Sequence, residues 1–346
     1  MGIHAAQCTL PVRIGKKIQK VLHGQKLTHQ IDFTPPATYP EIDMSRAAQI
    51  EGVLPVFQTP YLDDESIDFP TLGREIDWLF ENGAAGIVMA MVSEILRLST
   101  PEREALAKNV CRFARDRAPV IVSVGSESTA VSERFAQHAQ ECGAAAVMAI
   151  PPITIAADGP ALKRYYQRII RAIKIPLIIQ DASGYLGRQI PLSIQAELLN
   201  EFGADRIFFK PEGTPAGSRL SALRDITAGK ARIFEGTGGK ALVDSYRRGI
   251  AGTMPGADLI KGIAALWRAL KNNDSERANR ISMPISALMS IPTSLDAFLA
   301  IEKYLLVKQG VFPNALVRSP VGFVLDDETR QDVDRLFDLT MRAIGP

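Results

Sequence analysis

The sequence predicts an α/β protein built as a (β/α)8 TIM barrel with a C-terminal helical extension. The chain has 346 residues, 46% of them hydrophobic, which is enough to bury a core of barrel size. From about residue 52, short apolar runs rich in Val and Ile alternate with amphipathic segments of helical period. Eight such pairs follow one another. The alternative, a doubly wound sheet, is disfavoured because no GxGxxG motif follows the first run.

Eight short apolar runs are predicted as the strands of a parallel sheet. Such strands are buried on both faces, so their sequences are hydrophobic throughout rather than alternating. In chain order the runs are Val53–Phe57, Gly86–Met91, Val120–Val124, Ala146–Ile150, Leu177–Gln180, Arg206–Lys210, Arg232–Glu235 and Gly252–Met254. Because barrel enzymes bind and react at the C-terminal ends of the strands, the residues closing these runs are the candidates for chemistry.

The segments between the runs are predicted as helices with one apolar face. Leu162, Tyr166 and Ile169 illustrate the spacing that places side chains on one side of a helix. Ser99-Thr100-Pro101-Glu102 combines an N-cap residue, a first-turn proline and an early acid, which is typical of a helix start. After the last strand the pattern stays helical to the end of the chain.

The chain is therefore divided into three regions: an N-terminal extension over 1–50, the barrel over 51–272 and a C-terminal helical region over 273–346. The helical region is expected to pack on the barrel or on a neighbouring subunit. The extension contains basic residues and no acidic ones over 1–31, which would suit a transit peptide. It has no serine over that stretch, so we expect a poorly ordered or surface-packed extension and a cytoplasmic protein.

Composition excludes several classes of function. The formal net charge is +2, from 40 basic and 38 acidic residues, so neither nucleic acid nor an anionic membrane is an expected partner. No apolar run approaches the roughly 20 residues that a membrane span requires. The three cysteines lack CxxC spacing, and the four histidines form no HxH or HExxH motif, so no metal site is expected. A small-molecule partner fits best.

Lys210 is the leading candidate among the polar residues at strand ends. It closes the apolar run Ile207-Phe208-Phe209, and Pro211 follows it directly. A lysine partly removed from water keeps a larger neutral fraction, and a neutral amine can condense with a ketone to form an electron-withdrawing iminium. The alternative is a lysine that reaches the barrel rim or pairs with Glu212.

The glycine-rich segment Glu235-Gly236-Thr237-Gly238-Gly239-Lys240 follows the seventh run and opens a helix. Backbone N–H groups there could bind a carboxylate, a phosphate or sugar hydroxyls. A tight turn that needs positive φ is the alternative. A divalent-metal site is disfavoured, because the acidic residues that could form it come from four loops without diagnostic spacing: Glu94, Asp181, Glu212 and Glu235.

Residues 52–325 together resemble the dihydrodipicolinate synthase/N-acetylneuraminate lyase family. Three segments carry the resemblance in order. They are the first run with the following Gln58-Thr59-Pro60-Tyr61, the segment Leu98-Ser99 with Glu102-Arg103, and Phe209-Lys210-Pro211-Glu212. Lys210 falls where that family carries its Schiff-base lysine. The resemblance implies chemistry on pyruvate-type 2-oxo acids, a homo-oligomer (tetramer or dimer), and no metal or organic cofactor.

The loop after the second run departs from the family pattern. It reads Ala90-Met91-Val92-Ser93-Glu94 where the family has two threonines. The resemblance still implies that Val92, Ser93 and Glu94 bind the substrate carboxylate. The Ser-Glu pair, with Gln180 as a further substrate-binding residue after the fifth run, is most similar to the 2-keto-3-deoxy-L-arabonate dehydratase branch.

A second departure concerns the family's proton-shuttling tyrosine, whose position is occupied by Ile153. An isoleucine cannot transfer a proton. The proton transfer could be taken over by Thr154, Tyr185, a water molecule or the substrate's own carboxylate. We name Tyr185 as the catalytic candidate and Thr154 as a substrate-binding residue. The family's arginine for a distal carboxylate is also missing, so a less acidic distal group is expected.

These observations predict a class I lyase, either a dehydratase or an aldolase, that acts on a 2-keto-3-deoxy sugar acid or pyruvate. Lys210 would be the nucleophile, and Thr237 with Gly238 would meet the distal hydroxyls. The rival hypothesis is a non-catalytic barrel that binds a 2-oxo acid or sugar acid, because the tyrosine is missing. A metal-dependent aldolase has little support.

Overall fold

The computed structural model describes residues 50–155, 157–186 and 189–345, without the side chains of Tyr185 and Leu186. The predicted N-terminal extension, apart from Ile50, therefore lies outside the described residues. Within the described part, eight parallel strands form one sheet in the order β1-β8-β7-β6-β5-β4-β3-β2. They are Gly52–Val53 (β1), Ile87–Met89 (β2), Val120–Ser123 (β3), Ala146–Ala149 (β4), Leu177–Asp181 (β5), Ile207–Pro211 (β6), Arg232–Glu235 (β7) and Gly252–Thr253 (β8).

The sheet closes between β1 and β2, which confirms the predicted (β/α)8 barrel. Val56 bridges Val88 on one side and Gly256 on the other. The Val88 N–H also donates to the Pro55 carbonyl at 2.9 Å. Regular pairing of β1 ends earlier than the predicted run because Pro55 has no N–H to donate to the ladder.

Helices alternate with the strands as the periodicity predicts. They are Phe69–Glu81 (α1), Thr100–Phe113 (α2), Thr129–Glu141 (α3), Gly159–Arg171 (α4), Ser183–Leu186 (α5), Leu192–Phe202 (α6), Ala216–Ile226 (α7), Leu242–Arg247 (α8) and Ile260–Lys271 (α9). The predicted start of α2 is a capping box, in which the Ser99 N–H donates to the Glu102 carboxylate at 2.8 Å. None of the helices in the described part is both long and apolar enough to cross a membrane.

Three more helices follow the barrel: Ser275–Leu288 (α10), Leu295–Lys308 (α11) and Asp327–Ile344 (α12). α10 packs between α9 and α12, whereas α11 contacts the short 3₁₀ turn Met91–Ser93 that follows β2. The helical region thus packs on the barrel of its own chain. Because the turn after β2 lies at the C-terminal end of a strand, α11 reaches the face where barrel enzymes carry their sites.

The inside of the barrel is filled with side chains. A buried cluster within the sheet includes Val88, Ile121, Ile178, Phe208 and Phe234. A separate, larger cluster fills the space between the strands and the surrounding helices. The packed interior leaves space for a ligand only beyond the strand ends.

Candidate active site

A small cavity lies at the C-terminal ends of the strands, where the fold predicts a site. It has a volume of about 40 Å³, which is the space of a few water molecules. Side chains and backbone from six strand ends and from α11 line it: Val56, Ala90, Met91, Val92, Gln180, Lys210, Glu212, Gly236, Gly238, Met254, Pro255, Gly256, Leu295, Phe298 and Glu302. The site residues predicted from the sequence divide into those inside this cavity and those outside it.

Lys210 and Glu212 form an ion pair inside the cavity. Lys210 Nζ lies 2.6 Å from Glu212 Oε1, and the two side chains are only 4% and 5% exposed. The pairing that the sequence left open as an alternative is therefore present, but within the cavity rather than at the rim. A carboxylate this close to the ammonium can both stabilise it and accept its proton.

Gln180 belongs to the same group because β5 and β6 are neighbours. Gln180 and Lys210 lie opposite each other in the parallel register. Gln180 Nε2 donates to Glu212 Oε2 at 2.9 Å, which holds the carboxylate in place beside the lysine. Among the described residues Gln180 Oε1 is buried without a hydrogen-bond partner. An unpaired buried acceptor that lines a cavity can bind a ligand hydroxyl or amine.

Gly236 makes room for this ion pair. A Cβ at Gly236 would lie 2.7 Å from Glu212 Oε1 and 2.9 Å from Lys210 Cε. Gly238, which also lines the cavity, has φ of 67°. The glycines after β7 therefore serve both close approach and a turn with positive φ. The helix that follows, α8, has only six residues.

Thr237 hydrogen-bonds within the loop and is not among the residues lining the cavity. Its N–H donates to Glu235 Oε1 at 2.6 Å, and its hydroxyl donates to the same oxygen. The Thr253 hydroxyl donates to Glu235 Oε2 at 2.5 Å. Glu235 thus joins the loop after β7 to β8, and the binding role assigned to Thr237 stays a prediction.

The loop after β2 places one of its three predicted substrate ligands in the cavity. Val92 lines it, whereas Ser93 is fully buried. The Ser93 hydroxyl donates to the Phe57 carbonyl at 2.7 Å and accepts from the Ala90 N–H at 3.1 Å. Its hydrogen bonds therefore hold the turn in shape.

Glu94 lies behind that turn, with its carboxylate bound to the C-terminal region. Lys303 of α11 donates to Glu94 Oε1, and the Arg318 N–H donates to Oε2 at 3.1 Å. Lys303 also donates to the Thr59 carbonyl at 2.8 Å. Burial lowers the pKa of Lys303, and the Glu94 carboxylate opposes that effect. The pair anchors α11 to the ends of β1 and β2.

The loop after β4, where the family resemblance expects a tyrosine, is exposed. The Ile153 and Thr154 N–H groups donate to the Glu127 carboxylate at 2.6 and 3.0 Å, and the Thr154 hydroxyl donates to the same carboxylate. Thr154 is not among the lining residues. Tyr185 belongs to α5, but its side chain lies outside the described part, so its proposed role stays a prediction.

The sequence interpretation missed Glu302. This residue is 3% exposed and lines the cavity from α11. Burial raises the pKa of the Glu302 carboxyl well above its usual range, and the neighbouring Asp258 carboxyl raises it further. The available signal was an acid on an apolar stripe, because Leu295, Phe298 and Glu302 recur at i, i+3 and i+7.

Among the described residues, no group of three or more His, Cys, Asp or Glu side chains is arranged to hold a metal ion. Cys111 and Cys142 are free thiols, and Cys8 lies outside the described residues. The ionisable side chains among the described residues that line the cavity are one amine, Lys210, and two carboxyl groups, Glu212 and Glu302.

Comparison with known proteins agrees with this geometry. The model of the dihydrodipicolinate synthetase family matches residues 49–338. The L-2-keto-3-deoxyarabonate dehydratase of Azospirillum brasilense is 28% identical over 244 residues, which cover 68% of this chain and 78% of that protein. The 4-hydroxy-tetrahydrodipicolinate synthase of Methanococcus vannielii is 30% identical over 178 residues, or 51% of this chain and 61% of that one.

The solved structures give the same result. Dihydrodipicolinate synthase from Rhodopseudomonas palustris superposes with a TM-score of 0.76 at 25% identity, covering 84% of this chain and 98% of that one. The family match extends from the first strand to the last helix, and the cavity with its buried lysine lies within it. The chain belongs to the dihydrodipicolinate synthetase family.

Proposed function

We propose that this protein is a Schiff-base-forming lyase in which Lys210 attacks the carbonyl carbon of a small 2-oxo acid. The observation that carries the proposal is the position of Lys210: buried, at the C-terminal end of β6, lining a cavity and 2.6 Å from a carboxylate that can take its proton. The small volume of the cavity favours a compact substrate over a nucleotide-sized one.

Glu212 is the base for the first step. It takes one proton from the Lys210 ammonium, and the neutral amine adds to the C2 carbonyl. The carbonyl oxygen then leaves as water with that proton and a second one from the nitrogen, and the iminium remains on Lys210. The amide of Gln180 keeps Glu212 beside the nitrogen through both transfers.

Within this class we favour a dehydratase acting on a 2-keto-3-deoxy sugar acid. The match to a dehydratase over 78% of its length supports this choice, and so does the absence of the family's paired threonines after β2. Val92 and Gln180 line the cavity and are the proposed substrate contacts. The iminium itself is the electron sink, so the proposed reaction uses no metal or organic cofactor. A homo-oligomer, dimer or tetramer, is proposed with it.

Reductive trapping tests the proposal. Borohydride added to the full-length protein with pyruvate should attach one reduced pyruvate, and peptide mass spectrometry should locate it at Lys210. Lys210→Met should abolish the adduct. Lys240→Met is the matched control, since Lys240 is an exposed lysine that follows Gly238 and Gly239 in the same loop. A folded wild-type protein that forms no adduct with pyruvate or with longer 2-oxo acids would contradict the proposal.

The second candidate is a barrel that binds a 2-oxo acid without turning it over. It is favoured by one observation: no tyrosine is among the described residues that line the cavity. Calorimetry combined with a turnover assay on the same 2-keto-3-deoxy acids separates the two candidates. Saturable binding without product would support the binding protein, and product formation would exclude it.

A further inference from the structure

A buried carboxyl from outside the eight strand-helix units faces the same cavity as Lys210. Glu302 belongs to α11 and lines the cavity together with Lys210 and Glu212. The charge of Lys210 acts on Glu302 and favours its ionised form. The Gln58 side-chain amide donates to Glu302 Oε2, which fixes the carboxyl group on one side. The residue is thus positioned and is in electrostatic contact with the proposed nucleophile.

Glu302 has a second buried carboxyl beside it. A Cβ added at Gly256 would lie 2.5 Å from Glu302 Oε1 and 2.8 Å from Asp258 Oδ1, so both oxygens approach the same point. The glycine after β8 is what allows this approach. Asp258 is 2% exposed, and in the described part its Oδ2 has no hydrogen-bond partner.

Two buried carboxyl groups whose oxygens approach the same point cannot both ionise easily. Desolvation raises the pKa of Asp258, as it does that of Glu302, and the two charges would repel each other. The pair therefore retains a proton under conditions in which an exposed carboxyl has lost it. A carboxyl pair that holds one proton can accept another and give it back, as a general acid–base catalyst must.

We propose that Glu302, supported by Asp258, is the catalytic acid–base group that moves protons at C3 and C4 of the substrate. It would do the work for which the family resemblance expects a tyrosine at position 153. The inference rests on the proposed function, since it needs the iminium on Lys210. It assigns a catalytic residue to the C-terminal helical region, which otherwise only packs on the barrel.

The proposed dehydration starts from the iminium on Lys210. With the proton of the pair on Asp258, the Glu302 carboxylate takes a proton from C3 of the iminium, and the electrons of that C–H bond form the C2=C3 bond of an enamine. The enamine expels the C4 hydroxyl, which leaves as water with the proton returned by Glu302. The nitrogen lone pair forms the C=N bond again, and the C2=C3 electron pair shifts to C3=C4. The product is an iminium conjugated to C3=C4. Water then hydrolyses this iminium to release the dehydrated 2-oxo acid and Lys210.

Pyruvate tests the inference without knowledge of the natural substrate. In D2O its methyl protons exchange through the enamine, and NMR measures the rate, while borohydride trapping measures the iminium separately. Glu302→Gln should form the Lys210 adduct within about threefold of wild type and lower the exchange rate by about 10²-fold or more. Glu302→Asp, which keeps a carboxyl, should give an intermediate rate.

Asp68→Asn is the matched control. Asp68 is a buried acid that caps α1 through the Thr71 N–H, a cap that asparagine can also make, and it is not among the lining residues. Its exchange rate should stay within about threefold of wild type. Exchange at the wild-type rate in Glu302→Gln would overturn the inference. Loss of both adduct and exchange in that variant would also overturn it, because Glu302 would then act before the iminium forms. Absence of the adduct in the wild type would instead contradict the proposed function.

Discussion

The end of β6 and helix α11 both place an ionisable side chain in the cavity, but the sequence predicts the location of only the first. Lys210 closes an apolar strand in a repeating pattern, so its position in a barrel follows from counting units. Glu302 lies in a helix after the last unit, where no repeat predicts its orientation. The location of Lys210 follows from the residues next to it in the sequence. The location of Glu302 depends on how the C-terminal helical region packs on the barrel.

Neighbouring residues of α11 also differ from each other. Lys303 is completely buried and ties the helix to Glu94 and to the Thr59 carbonyl. Glu302, one residue earlier, points to a different side of the helix and lines the cavity. One residue thus anchors the helix and the next faces the cavity, because successive side chains on a helix are about 100° apart. The two roles can be separated by mutation.

The largest effect is expected at the strand end. Lys210→Met should lower pyruvate exchange in D2O by at least about 10⁴-fold, because no other described amine lines the cavity and the enamine cannot form without one. NMR measures the exchange, and circular dichroism checks that the variant is folded. Exchange at a rate near that of the wild type would show that another group carries the chemistry.

The next effect is expected at the anchor of α11. Lys303→Met should destabilise the protein by about 3 kcal/mol, the lower end for a broken buried ion pair, because Glu94 loses its closest cation and keeps only Arg97 at 3.6 Å. Urea denaturation measures the loss. The double variant Glu94→Gln/Lys303→Met should recover part of it, since the uncompensated charge is gone. An unchanged free energy of unfolding in the single variant would contradict an anchoring role.

A smaller effect is expected where the glycine loop after β7 meets the end of β6. Gly236→Ala places a methyl group against both Lys210 and Glu212, so pyruvate exchange should fall by about 10²-fold with the fold retained. Gly73→Ala is the control, because a Cβ in that helix would meet Phe113 at an ordinary 3.6 Å. Equal exchange rates in the two variants would show that the ion pair can move without cost.

The smallest effect concerns the pH dependence of stability. Burial raises the pKa of Glu75, so its contribution to stability is present below the ordinary carboxyl pKa and is lost as the pH rises towards the folded value. Glu75→Gln should therefore be more stable than wild type at pH 8 by on the order of 1 kcal/mol, with less difference at pH 4. Thermal unfolding at both pH values tests this; a difference that grows towards pH 4 would contradict the sign.

Much of the fold was predictable because apolar runs and helical periodicity are local properties of the chain. Each of the eight predicted runs overlaps a strand of the barrel, and the capping box at Ser99 begins α2 as predicted. The glycines after β7 and the lysine of β6 were also identifiable. The position at a strand end limits where these residues can lie in the barrel.

The partners of the polar side chains were decided by the tertiary structure. Ser93 binds the Phe57 carbonyl after β1, and Thr237 binds Glu235 within its own loop. The cavity is lined by Val92 and Gly238 instead. Glu94 meets Lys303 across 209 residues of sequence.

The sequence by itself thus determined the barrel, the order of its units and the place of Lys210, because each follows from a pattern a few residues long. Only the tertiary structure brought Glu302 to the cavity and beside Asp258. The reason is physical: the ionisation of a buried acid depends on its desolvation and on neighbouring charges, and these come from segments far apart in the chain.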